Sequence, residues 1–213
     1  MNFSLKIIPA ALLLAFWAFP ANAAEQLSFA EAETLIRDTY TITRGCVDSK
    51  KLASNALADD SLIMAAALCG IDCMELAPKQ LRKRWVQEDA PFFASVDAKY
   101  NAAITAEAIA ASAVRFTGLS LKKHRAFGDI GIFSDVHYEK GMYFLFMDGL
   151  GGEFPKLTLS SVERVREGYL LHGKLTAQKE EGGAEVGTFT ITVAPGDAPG
   201  SWKRLSIIEM TQN

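Results

Sequence analysis

Histidine, cysteine and basic residues are all scarce in this sequence of 213 residues. It contains three histidines and three cysteines, and its 22 lysines and arginines are outnumbered by 25 aspartates and glutamates. A mildly acidic chain whose basic clusters, 82–84 and 122–125, are this short is not typical of a nucleic-acid-binding protein. We therefore predict no nucleic-acid partner.

The motifs of common catalytic and cofactor sites are also missing. No G-x-S-x-G turn of serine hydrolases is present. The glycine-rich loop 148–153 has neither the P-loop nor the EF-hand spacing, and its carboxylates would repel a phosphate. Cys69 and Cys73 lack the C-x-x-C spacing of redox dithiols, and no histidine lies nearby to complete a zinc site. The sequence predicts no metal ion and no cofactor.

One apolar run stands at the start of the chain. Lys6 precedes an apolar stretch over 7–19, and the stretch is followed by Ala21, Asn22 and Ala23. This order, with small residues two apart, is typical of a secretory signal peptide and its cleavage site. The run has about 13 residues, whereas a membrane-spanning helix needs roughly 20. We predict a signal peptide over 1–23 that is cleaved after Ala23, which leaves a periplasmic or secreted protein without a permanent membrane span.

The segment between Cys46 and Cys69 decides which cysteines can pair. If 50–68 formed one helix, rising about 1.5 Å per residue, these two cysteines would lie roughly 30 Å apart. The apolar stripe of such a helix would also bury Asp59 and Asp60, and two buried carboxylates are unfavourable. We therefore predict that a second helix begins here with one of these aspartates as its N-cap, which turns the chain back as a helical hairpin.

Three cysteines in an exported protein allow one disulfide bond and one free thiol. We predict a bridge from Cys46 to one of the other two cysteines. Cys73 is slightly preferred and Cys69 is the alternative, because Gly70 is expected to end the helix just before Cys73. A catalytic thiol at Cys46 has no supporting motif.

The composition changes near Gly118. The region 24–118 is rich in alanine and carries helix signals, including a capping box formed by Ser28 and Glu31 and a helix end at Gly45. Two later helices are predicted, one beginning at Pro78 and one over 91–114.

The region 119–213 instead shows alternation with a period of two, which is typical of strands. Six strands in three hairpins are predicted, over 130–138 and 142–147, 156–165 and 169–177, and 185–194 and 202–210. We predict an α+β fold in which the N-terminal helices pack, as one domain, on an antiparallel sheet of about six strands. The side chains expected to face the helices are Tyr169, Leu171, Leu175, Phe189, Ile191, Val193, Leu205 and Ile207.

The last two strands carry a family resemblance. The strand over 186–193 is followed by a polar turn and by a strand beginning Trp202-Lys203, in the pattern W-K-x-x-x-I. This resembles the closing hairpin of nuclear-transport-factor-2-like domains, which have a cystatin-like α+β cone, and the resemblance extends over about 75–210. It implies a curved sheet whose cavity serves as an active site in some members and as a ligand or dimer surface in others.

The strongest candidate for catalysis is the row Asp135, His137 and Glu139. Alternation places these three side chains on one face of a strand, and a histidine oriented by a carboxylate is the minimum requirement for acid–base chemistry. An exposed strand near a hairpin would show the same row. The other two histidines, His124 and His172, are interpreted as surface residues.

The strand over 142–147 is apolar on both faces, which indicates a central strand or a pocket wall. If one face lines a pocket, Tyr143, Phe144 and Phe146 are the predicted ligand-binding residues.

Three functions follow from these patterns, in decreasing order of preference. The first is an exported soluble binding module that holds a small apolar ligand or a protein partner in or on the curved sheet. The second is an interaction or homodimerisation domain without a small ligand. The third is a hydrolase- or isomerase-type enzyme that uses His137 with Asp135 or Glu139.

Overall fold

The computed structural model describes residues 26–53, 59–73, 100, 102–146, 155–177 and 183–212. Three predicted features lie outside the described residues. These are the signal peptide over 1–23, the helix beginning at Pro78 and the glycine-rich loop 148–153.

Helices and antiparallel sheets share the described chain, which confirms the α+β class. The helices are α1 (Phe29–Gly45), α2 (Ser49–Ala53), α3 (Asp60–Cys73) and α4 (Ala106–Thr117). The first sheet, in the order β1-β4-β3-β2, contains β1 (Ala102–Thr105), β2 (Gly128–Ile130), β3 (Phe133–Glu139) and β4 (Met142–Leu145). The second sheet, in the order β5-β6-β7-β8, contains β5 (Lys156–Val165), β6 (Gly168–Thr176), β7 (Glu185–Pro195) and β8 (Trp202–Thr211).

The described part of the chain contains eight strands rather than about six, and the difference arises at two places. The predicted strand over 130–138 is divided by a turn into β2 and β3. The predicted helix over 91–114 contains strand β1, and only α4 is helical in its described part. The side chain of Thr105 accepts a hydrogen bond from the backbone N–H of Ala108 at 3.1 Å and so begins the helix there. Alanine-rich 102–104 is buried throughout, so its pattern does not distinguish a helix from a strand.

The two larger apolar cores of the described chain lie on the two sheets. The first is formed by α2, α3, α4 and the first sheet, with Met64, Leu68, Phe116 and Tyr143 among its buried residues. The second lies between α1 and the second sheet. In it, five of the side chains predicted to face inward are fully or almost fully buried, namely Leu171, Leu175, Phe189, Ile191 and Val193.

Leu205, which was predicted to face inward, is instead exposed. The pairing of β7 with β8 is irregular between Thr192 and Val193, so that Val193 lies opposite Arg204 and Thr192 lies opposite Ser206. Leu205 is the extra residue in this bulge, and the side chain of Arg204 takes the inward position beside it. The alternation of inward and outward side chains along a strand does not reveal such a bulge, so the sequence pattern predicts the wrong side for Leu205.

Arg204 is only 1% exposed, and its guanidinium joins three elements. Nε donates to Oγ1 of Thr39 on α1 at 3.0 Å, and Nη2 donates to the carbonyl oxygen of Arg115 on α4 at 3.2 Å. Nη1 donates to the carbonyl oxygen of Trp202 on β8 itself at 2.6 Å. Burial lowers the pKa of Arg204 to about 10, and the nearby Asp38 opposes that shift, so the group keeps its charge at neutral pH.

The loop between β7 and β8 is held against the end of α4. Gly118 caps this helix in the left-handed conformation, with φ of 74°. A side chain at Gly118 would overlap the backbone of Trp202, so only glycine allows this approach. The backbone N–H of Asp197 donates to the carbonyl oxygen of Gly118 at 3.0 Å, which fixes the loop in place.

The disulfide bond joins Cys46 to Cys69, with the two Cα atoms 6.0 Å apart. The predicted helix restart is present, since Oδ1 of Asp59 accepts from the backbone N–H of Ser61 at the start of α3. The preference for Cys73 was wrong because Gly70 does not end the helix. A side chain at Gly70 would overlap the ring of Phe116, so this glycine allows α3 and α4 to pack closely.

Replacing Arg204 by methionine should lower the free energy of unfolding by about 3 kcal/mol or more, because three hydrogen-bond acceptors lose their donor and two of these hydrogen bonds are fully buried. Urea unfolding monitored by circular dichroism measures this change. The matched control is Arg166→Met, in the exposed turn between β5 and β6, which should change stability by no more than about 0.5 kcal/mol. Equal, small effects of the two substitutions would contradict the role given to Arg204.

Replacing Cys69 by serine should lower the free energy of unfolding by about 3 kcal/mol, because the bridge closes a sequence separation of 23 residues. Cys73→Ser should leave the bridge intact. Thiol counting by mass spectrometry on the unreduced protein checks the pairing. One free thiol in the wild type and none in Cys73→Ser is the expected pattern, and a free thiol remaining in Cys73→Ser would show that the pairing is different.

Candidate binding site

The structure brings His137 and Glu139 together on β3, and Tyr100 connects Asp135 to the same group. Nε2 of His137 lies 3.6 Å from Oε2 of Glu139, and both side chains are about two-fifths exposed. Asp135 has a positive φ of 50°, which interrupts the alternation that the sequence predicts. Its Oδ2 accepts a hydrogen bond from the hydroxyl of Tyr100 at 2.9 Å. The ring of Tyr100 in turn stacks on His137, with the ring centroids 6.1 Å apart.

The three aromatic residues predicted to line a pocket lie in three different environments. Tyr143 is fully buried in the first core. Phe144 is fully buried on the opposite face of β4, against Tyr100 and Ala103. Phe146 follows β4 and is 51% exposed. None of these side chains lines any of the three clefts described below.

His124, which was interpreted as a surface residue, is part of an aromatic cluster. Its Nδ1 lies 2.9 Å from the hydroxyl of Tyr143, and its ring stacks on Tyr138 at a centroid distance of 6.0 Å. The backbone N–H of Arg125 donates to the same hydroxyl. A hydroxyl oxygen donates one hydrogen bond and accepts up to two, so the tautomer of His124 decides which atom of the His124–Tyr143 pair is the donor. The sequence around His124 is basic and contains no signal for this contact.

A cleft of about 460 Å³ lies between α1 and α4, and the end of the loop before β8 forms one of its walls. This volume is in the range of small-molecule sites. Its lining is mostly apolar and comprises Ala30, Glu31, Thr34, Leu35, Asp38, Ala111, Val114, Arg115, Pro199, Gly200, Ser201 and Trp202. We call it the helix cleft.

The charged groups of the helix cleft are engaged with one another or with the backbone. Asp38 binds Arg115 through two hydrogen bonds, of 2.8 Å to Nε and 3.1 Å to Nη2. The hydrogen bond to Asp38 raises the pKa of Arg115. Glu31 accepts from the backbone N–H of Ser28, and its hydrogen bonds to Ser28 lower the pKa of the Glu31 carboxyl. The cleft therefore presents a mainly apolar wall with one ion pair at its side.

Trp202, one of the lining residues, carries a buried indole nitrogen without a hydrogen-bond partner in the described chain. The residue is 3% exposed, and its ring contacts Tyr169 edge to face at a centroid distance of 5.7 Å. Within the described part of the chain, no group accepts a hydrogen bond from its Nε1. Buried donors without an acceptor are rare in folded proteins, and each is unfavourable by about 1–3 kcal/mol. An acceptor supplied by a ligand would remove this penalty.

Two further clefts, each of about 470 Å³, are lined by described residues. One lies between α1 and the start of β5, and the other lies beside the disulfide bond. The second has three carboxylates in its lining, those of Asp48, Asp59 and Asp129, together with Lys51. Across the described residues, no group of three or more histidine, cysteine or acidic side chains is arranged to hold a metal ion.

Comparison with known proteins assigns no family to the chain. No protein-family model matches it, and neither a curated protein nor a solved structure gives a significant match. The resemblance to nuclear-transport-factor-2-like domains therefore stays a prediction. Among the described helices, none is long and apolar enough to cross a membrane.

The Tyr143 hydroxyl gives the protein a specific pH dependence. Burial raises the pKa of Tyr143 to about 12, above the ordinary value of 10.0. Between pH 10 and 12 the unfolded chain releases this proton while the folded protein keeps it, so stability should fall as the pH rises through this window. The free energy of unfolding, measured with urea at pH 9 and at pH 11, should fall less between these two pH values in Tyr143→Phe than in the wild type. Equal losses would contradict the assignment.

Proposed function

We propose that the protein is an extracytoplasmic binding module that holds a small, largely apolar ligand in the helix cleft. The observation that carries this proposal is the Nε1 of Trp202, a buried donor without an acceptor in the described structure, on a residue that lines this cleft. The ligand that fits has an apolar body and one hydrogen-bond acceptor, such as a carbonyl or carboxylate oxygen.

The apolar character of the cleft supports this ligand class. Leu35, Ala111, Val114 and Pro199 offer surface for an apolar body. Small-molecule sites are typically lined in this way, with a few polar groups that fix the orientation of the ligand. Arg115 is the cation in this lining, and its side chain is 45% exposed beside its ion pair with Asp38. A carboxylate on the ligand would find this cation beside the cleft.

The walls of the cleft are held in place without a ligand. The hydrogen bonds of Arg204 connect α1, α4 and β8, and the loop before β8 is bound to Gly118. Binding to a preformed site requires little ordering of the protein, so more of the contact energy appears as affinity.

Two features support a location outside the cytoplasm. The bond between Cys46 and Cys69 is of a kind that persists in oxidising compartments. The sequence over 1–23 has the pattern of a secretory signal peptide. The proposed compartment is the periplasm or the extracellular medium.

We base no enzymatic function on His137. Its contact with Glu139, at 3.6 Å, is longer than a hydrogen bond and lies on a partly exposed strand surface. Neither residue lines the helix cleft.

A bulky side chain in the helix cleft should weaken the binding of small apolar ligands that carry a hydrogen-bond acceptor. Ala111 is exposed on α4 and lines the cleft, so Ala111→Phe introduces bulk without disturbing the core. We expect 1-anilinonaphthalene-8-sulfonate and decanoate to bind the helix cleft of the wild type, one molecule to each cleft. The affinity should fall at least about tenfold in Ala111→Phe, because the substitution removes apolar contact area from the ligand. Fluorescence titration measures the first probe and its displacement by the second.

The matched control is Ala126→Phe, at an exposed alanine that is not part of the lining. This variant should bind both probes like the wild type. Unchanged binding in Ala111→Phe, or no binding of either probe to the wild type, would refute the proposed site.

A further inference from the structure

A second cleft lies on another side of α1, where this helix meets the start of β5. It has a volume of about 470 Å³, and none of its lining residues belongs to the helix cleft. Its lining comprises Glu33, Arg37, Tyr40, Thr41, Arg44, Pro155, Lys156, Leu157 and Thr158. We call it the strand cleft.

The charge of the strand cleft is opposite in sign to that of the whole chain. Arg37, Arg44 and Lys156 are its cations and Glu33 is its one carboxylate, whereas the chain carries a net charge of −3. Arg37 and Glu33 are 3.4 Å apart on exposed neighbouring turns of α1, and such pairs contribute little. Arg44 binds Glu209 at 3.1 Å and keeps 40% of its side chain exposed. The surplus of positive charge favours an anionic ligand.

Tyr40 contributes a buried hydroxyl to the same lining. The residue is 4% exposed, and its ring packs edge to face on Phe189 at a centroid distance of 5.2 Å. Burial raises the pKa of Tyr40, so the hydroxyl is protonated and can donate at neutral pH. The guanidinium of Arg44 lies close to the Tyr40 hydroxyl and opposes that rise, but it can only donate, so within the described chain the proton of the hydroxyl has no acceptor.

We propose that the strand cleft is a second binding site, which takes the oxyanion group, a carboxylate or a phosphate, of a ligand. Arg37, Arg44 and Lys156 supply positive charge, and the hydroxyl of Tyr40 supplies a hydrogen-bond donor that is otherwise unused. An oxyanion accepts several hydrogen bonds at once, and hydrogen bonds to a charged acceptor are about twice as strong as neutral ones. The site does not depend on the proposed function of the helix cleft.

The test is a titration of the full mature protein with sodium phosphate and, separately, with sodium succinate, at constant ionic strength set by sodium chloride. Two-dimensional ¹H–¹⁵N nuclear magnetic resonance reports which backbone amides shift. We expect saturable shifts in α1 and at the start of β5 with at least one of the two anions. The affinity should fall at least about tenfold in Tyr40→Phe and several-fold in Arg44→Gln.

Two matched controls separate specific binding from general effects. Tyr169→Phe removes a tyrosine hydroxyl outside the lining, and Arg166→Gln removes an exposed cation from the turn between β5 and β6. Both variants should bind the anions like the wild type. Tyr40→Phe should also fold with nearly unchanged or higher stability, since it removes a buried hydroxyl whose proton has no acceptor in the described chain.

The proposal is overturned if neither anion produces saturable shifts at these positions. It is also overturned if Tyr40→Phe and Arg44→Gln bind as tightly as the wild type, because the anion would then be held by general surface charge. Filling the helix cleft with Ala111→Phe should leave anion binding unchanged, so failure of one site is distinguishable from failure of the other.

Discussion

The guanidinium of Arg204 is buried where α1, α4 and β8 meet, and it donates one hydrogen bond to each of three different residues. A buried cation is favourable only when its donors are satisfied, so this contact requires the three elements to keep one relative position. The acceptor on α4 is a carbonyl of the last helical turn, where carbonyl groups lack helical partners and a positive charge is favourable. The residues that accept from Arg204 on α4 and β8 are Arg115 and Trp202, which also line the helix cleft. The fold and the proposed site therefore depend on the same interaction.

Features of the fold that depend on neighbouring residues were predictable from the sequence. The capping box at Ser28, the helix restart at Asp59 and the hairpin turns are local, because each is decided by side-chain chemistry within a few positions. Features decided by distant contacts were not predictable. Glycine is typical of a helix end, yet Gly70 lies inside α3 because α4 packs against it. Arg204 faces inward because β7 and β8 pair through a bulge, which hydrophobic alternation does not reveal.

The same distinction between local and distant contacts explains which parts of the candidate site are predictable from the sequence. The pair His137 and Glu139 was predictable because both lie on one strand, two residues apart. The helix cleft was not, because its lining comes from α1, α4 and the loop before β8, which are far apart in the sequence. In the sequence Trp202 marks the start of a strand and of the pattern W-K-x-x-x-I, and neither feature indicates that its indole nitrogen is buried without an acceptor.

The central claim is that the helix cleft accepts a ligand whose acceptor atom reaches Nε1 of Trp202. Nuclear magnetic resonance of the indole N–H groups tests it directly, because only Trp85 and Trp202 lie outside the predicted signal peptide and Trp202→Phe assigns the two signals. On addition of decanoate, we expect a downfield shift of the Trp202 indole proton, because this proton gains a hydrogen bond. A Trp202 signal that stays in place while decanoate is bound elsewhere would contradict the account.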